Sequence, residues 1–176
     1  MEVKIRAQVK AMNSQNASYA SGGIEPRQVA DSKSAVIGIC CLAIILALVL
    51  GVGLASNLVV RHLVQTAPLW AGVVLGFRRS RAASWVGLPL FLFWLLLMSL
   101  IWSYLLGISH LLSGQFSSIE IAMTVIVGAA SLGGLVIFAR AKSFLSPLSA
   151  AGIFVIMAVL QVACFRLSFL PAIAHH

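Results

Sequence analysis

The stretch 65–81, QTAPLWAGVVLGFRRSR, decides how this chain is organised. It is an apolar segment of marginal length that runs directly into Arg78, Arg79 and Arg81. With Leu63 and Val64 its apolar part covers 63–77. As a helix that length rises only about 22 Å, short of the roughly 30 Å of hydrocarbon in a bilayer. Length alone therefore reads as re-entrant, but charge argues for a crossing. If the segment crosses, Lys4, Arg6, Lys10, Arg27 and Lys33 share a side with the arginine cluster, Arg140 and Lys142, and Arg61 and Arg166 are left opposite. If it does not, Arg61 and the cluster face outward with Arg140 and Lys142, against the tendency of basic residues to stay cytoplasmic. We read a short, true span.

Composition sets the solvent. Of 176 residues, 61% are hydrophobic and 9% charged, whereas soluble domains average about 25% charged. Such a chain cannot hide its apolar surface in one core of this size, so lipid is its partner. The expected fold class is an all-α integral membrane protein. The net charge of +8 would suggest nucleic acid in a soluble protein. Here the basic residues flank apolar runs and suit membrane orientation and anionic lipid heads, so no nucleic-acid partner is expected. Cys40, Cys41 and Cys164 form no disulfide or zinc pattern.

Five spans are expected, at about 35–60, 63–77, 83–108, 119–139 and 147–168, with the N-terminus inside and the C-terminus outside. Residues 1–34 read as a polar, disordered cytoplasmic tail, 35–170 as the transmembrane bundle and 171–176 as a short C-terminal tail. A cleaved signal peptide is not expected, because the polar lead is too long. Asp31 and Ser32 are placed to cap span one, and Asn57, Arg61 and His62 to close it. Ser117 and Glu120 match a capping box at the start of span four.

Small residues recur at four-residue spacing. Ala43, Ala47, Gly51 and Ala55 line span one, and Pro68, Gly72 and Gly76 line span two, with Pro68 in its first turn. Packing of one stripe on the other is the simplest use of both. Ala130 and Gly134 narrow span four. Span three is bulky and lacks such a stripe, so much of it is expected to face lipid.

Residues able to do chemistry gather at the outer surface. His62, His110 and Glu120 carry atoms suited to a metal or a proton relay. Arg61, Arg166 and the cluster Arg78, Arg79 and Arg81 suit an anion or lipid head group. The histidines lie on different elements, and each member also has an ordinary interfacial role, so no cofactor is expected. Gln161 is the one strongly polar residue inside span five. Ser99, Ser103, Thr124 and Ser131 suit either a conduit or hydrogen bonds between helices. His175 and His176 offer at most a weak chelating pair.

No paired carboxylates, nucleophile elbow or phosphate loop is present, so an enzyme is not expected. No acidic residue lies at mid-membrane depth, which lowers a proton- or cation-coupled transporter. The expected role is a non-enzymatic accessory, assembly or scaffolding subunit acting through helix packing. Its partner would be a second membrane protein or another copy, in a bacterial inner membrane. A small transporter or channel is the first alternative. A metal or haem carrier using the histidines is the second.

Overall fold

A computed structural model describes residues 26–108, 117–140 and 145–170. Every described element is a helix. α1 is Pro26–Leu46 and continues without a break as a π-helical segment, Ala47–Gly53. α2 is Val59–Phe77, α3 Ala83–Leu105, α4 Ser118–Ala139 and α5 Pro147–Leu167. Among the described residues, four helical stretches are long and apolar enough to cross a membrane: Ser32–Gly53, α3, α4 and α5. α2 is not one of them.

The later helices fall close to their expected limits, because hydropathy and capping agree there. Ser117 accepts from the Glu120 N–H at 3.2 Å, and Glu120 Oε2 accepts from the Ser117 N–H at 2.7 Å. That is the capping box. Ser146 caps α5 before Pro147, whose missing N–H costs nothing at a first position.

The first two helices depart from expectation. α1 begins at Pro26, so Asp31 and Ser32 lie inside it rather than capping it. Proline presets the φ of a first turn, and the helix then runs on past the apolar boundary. α1 also ends early. Asn57 takes a left-handed backbone (φ 56°), its N–H donates to the Leu54 carbonyl, and the Leu58 N–H donates to the Gly53 carbonyl at 2.9 Å. This is a Schellman stop with asparagine in the left-handed position. Arg61 and His62 consequently belong to the first turn of α2. Pro68 is then central in α2, not in its first turn, and leaves the Val64 carbonyl without its usual donor. Identical stops close α2 at Arg79 (φ 54°) and α3 at Gly107 (φ 72°).

Named contacts give the helix directions. Gly38 meets Gly76 and Gly53 meets Val59, so α1 and α2 run antiparallel along their length. Gly51 lies on Met123, while the Lys33 ammonium reaches the Arg140 carbonyl at 2.6 Å, so α1 and α4 are antiparallel. Phe91 lies on Gly134, and Trp85 stacks edge-on with Phe138 at 5.1 Å, so α3 and α4 are antiparallel too. Gln65 meets Ser168, which sets α5 against α2. The contacts close a ring in the order α1, α2, α5, α3, α4, in which α5 and α3 are the one neighbouring pair that is odd-numbered on both sides.

α3 touches all four of the others and carries the largest buried side chains, Phe91 and Trp94. One side of it is therefore core, while Leu92 and Leu96 stay exposed, as expected for a helix with much of its surface outward. Large side chains on α3 enter space left by glycine: a Cβ on Gly134 would come within 2.4 Å of the Phe91 ring. That complementarity replaces the hydrophobic driving force, which is absent between helices in lipid.

The glycines of the two small stripes take different neighbours. Gly72 and Gly76 pack on Cys41 and Gly38 of α1. Gly51 turns to Met123 instead, Ala47 is buried, Ala43 is half-buried and Ala55 is exposed.

Candidate functional site: a polar seam between α2 and α5

The first half of α2 is its polar half, and it faces α5. Gln65 and Thr66 are buried, and His62 is nearly so. Gln65 Nε2 donates to Ser168 Oγ at 2.9 Å, and Ser168 donates in turn to the Phe165 carbonyl at 2.7 Å. Gln161, fully buried, donates from Nε2 to the Gln65 carbonyl at 3.0 Å. A carbonyl only accepts, so this bond fixes the amide orientation and aims Oε1 elsewhere. Gln161 Oε1 has no partner. Two glutamines and a serine thus join two helices that are distant in sequence.

Around this seam the remaining groups are held locally. Thr66 Oγ1 donates to the His62 carbonyl at 2.8 Å. His62 Nδ1 lies 2.9 Å from the Leu58 carbonyl and must carry the proton, which leaves Nε2 as the free face of the ring. Arg61 places its guanidinium over the Phe169 ring, 4.1 Å from the centroid, and its Nε is buried without a partner. A cation over an aromatic face at such a half-exposed site is worth about 0.5–1 kcal/mol. Arg166 is exposed in the last turn of α5, one turn before Phe169.

Among the described residues no group of His, Cys, Asp or Glu is arranged to hold an ion. Glu120 is committed to its cap. His110, like His175 and His176, lies outside the described residues. Ser99, Ser103 and Thr124 do not join helices either: each donates to a carbonyl one turn back on its own helix. Ser131 is buried and its hydroxyl has no partner.

Sequence reasoning singled out Gln161 but missed Ser168 and the indole of Trp94, whose buried Nε1 has no partner. Ser168 gave no signal, because a serine just past a helix end looks like an ordinary terminus. At the opposite end of the bundle, Arg78, Arg79 and Arg81 are exposed on the α2–α3 turn. An open apolar groove of about 550 Å³ also runs between α3 and α4, lined by Met98, Trp102, Thr124 and Gly128 among others.

No family model matches the chain, no curated protein matches it, and no solved structure matches it.

Proposed function

We propose that this is a five-span protein of a bacterial inner membrane, N-terminus inside and C-terminus outside, that acts as a non-enzymatic assembly or scaffolding subunit. Two features support the crossing of α2. It has 19 residues, or about 28 Å of helix, close to bilayer thickness. The alternating helices also gather Lys33, Arg78, Arg79, Arg81 and Arg140 at one end, with Arg61 and Arg166 at the other, as basic residues in a cytoplasmic rim would be.

The observation that carries the interaction role is the outward surface of α5. Only 17% of its span is buried, against 44% for α1. Its seam to α2 is narrow, and Ala151, Gly152 and Ala163 lie exposed among Val155, Ile156 and Val159. Helix contacts in lipid favour small residues, which let backbones approach. The glycines of α1 and α2 are already used inside the bundle, so α5 is the face left for a partner. A side chain at Gly152 meets nothing within 4 Å. Gly152→Ile is therefore expected to leave the thermal melt in detergent unchanged while abolishing in-membrane crosslinking through Ala163→Cys, to a second copy or to a copurifying membrane protein. Crosslinking that survives Gly152→Ile counts against this reading.

A further inference from the structure

We propose that the basic end of the bundle is a preformed binding surface for anionic phospholipid head groups, beyond its role in orienting the chain. Cations from three elements meet there: Lys33 on α1, Arg78, Arg79 and Arg81 on the α2–α3 turn, and Arg140 at the end of α4. Side-chain-to-carbonyl bonds tie those elements together. Ser34 Oγ donates to the Ser80 carbonyl at 3.3 Å, tying α1 to the arginine turn. The Lys33 ammonium sits on the Arg140 carbonyl at 2.6 Å, tying α1 to α4. The turn itself is fixed by the Arg79 N–H on the Gly76 carbonyl at 3.0 Å and the Ser80 N–H on the Leu75 carbonyl at 2.9 Å. Asp31 on α1 is the one acid placed near this end by the described helices, because Glu120 is at the other end of α4. The result is a rim of five cations on a rigid frame, at head-group depth if α2 crosses. The chemistry it fits is a phosphate carried on a bilayer lipid, not a nucleic acid or a soluble anion.

Native mass spectrometry tests this on protein reconstituted with equal amounts of phosphatidylglycerol and phosphatidylcholine. The wild type is expected to retain the anionic lipid preferentially. Each surface cation contributes about a fivefold factor in anionic-lipid affinity, so Arg78→Gln with Arg81→Gln is expected to cut the preference roughly 25-fold. Lysines at both positions keep the charge and should keep the preference. Should the double variant fail to fold, Arg140→Gln alone reads a loss of about fivefold at an exposed site. Equal retention of both lipids by the wild type overturns the proposal. So does a preference that the neutral variants leave intact, or displacement of the lipid by millimolar inorganic phosphate. The test is independent of α5 and of any protein partner.

Discussion

Gln161 shows how a single residue can join two helices and still leave part of its chemistry unused. Its Nε2 is engaged, its Oε1 is not, and the side chain is wholly buried. An unpaired buried acceptor costs about 1–3 kcal/mol, while an interhelical hydrogen bond in lipid returns only about 0.6 kcal/mol. Gln161→Leu, of similar volume, is therefore expected to cost less than about 1 kcal/mol. Gln161→Ala leaves a void and should cost about 2 kcal/mol or more. Both are measured by unfolding in mixed micelles. A large loss for the leucine variant would mean that Oε1 has a partner of its own. That Gln161 would matter was legible in the sequence, since it interrupts an apolar run. Its partner was not, because Gln65 lies 96 positions away and no periodicity links the two.

At the scale of elements, α3, α4 and α5 were legible because long apolar runs end where caps and turn residues stand. α1 and α2 were not, because their boundary is written in one residue, Asn57, inside a hydrophobic stretch. A left-handed backbone is tolerated by asparagine and glycine and costs other residues about 1–2 kcal/mol. Asn57→Val is expected to destabilise by that amount or slightly more, and Asn57→Gly to be neutral, in the same unfolding assay. Equal effects would place the helix stop elsewhere. The π segment was invisible for a different reason: Ala47–Gly53 has the hydropathy of any buried helix, and only its hydrogen bonding differs. Gly51 lies within it, against Met123 of α4.

The whole molecule is a five-helix bundle in which α3 touches every other helix, with cations concentrated at one end. Centrality could not be read from the sequence, since a bulky helix in lipid and a bulky helix at a core look alike until glycines on other helices are placed against it. The five-span map is tested with single cysteines at Ser80 and Ala55, after replacement of Cys40, Cys41 and Cys164. A membrane-impermeant thiol reagent applied to intact cells is expected to label the Ala55 site and spare the Ser80 site. Labelling of both, or of the Ser80 site alone, sinks the map. One contact bears on biosynthesis. Gly38 and Gly76 touch so closely that a Cβ on Gly76 would lie 2.5 Å from the Gly38 Cα, and α2 falls short of the hydropathy of the other four stretches. In the five-span arrangement proposed above, α2 would therefore enter lipid as a hairpin against the helix made just before it. A branched side chain at Gly76 would register first as nascent chains threaded in the wrong direction, before any change in the melting of those that inserted correctly.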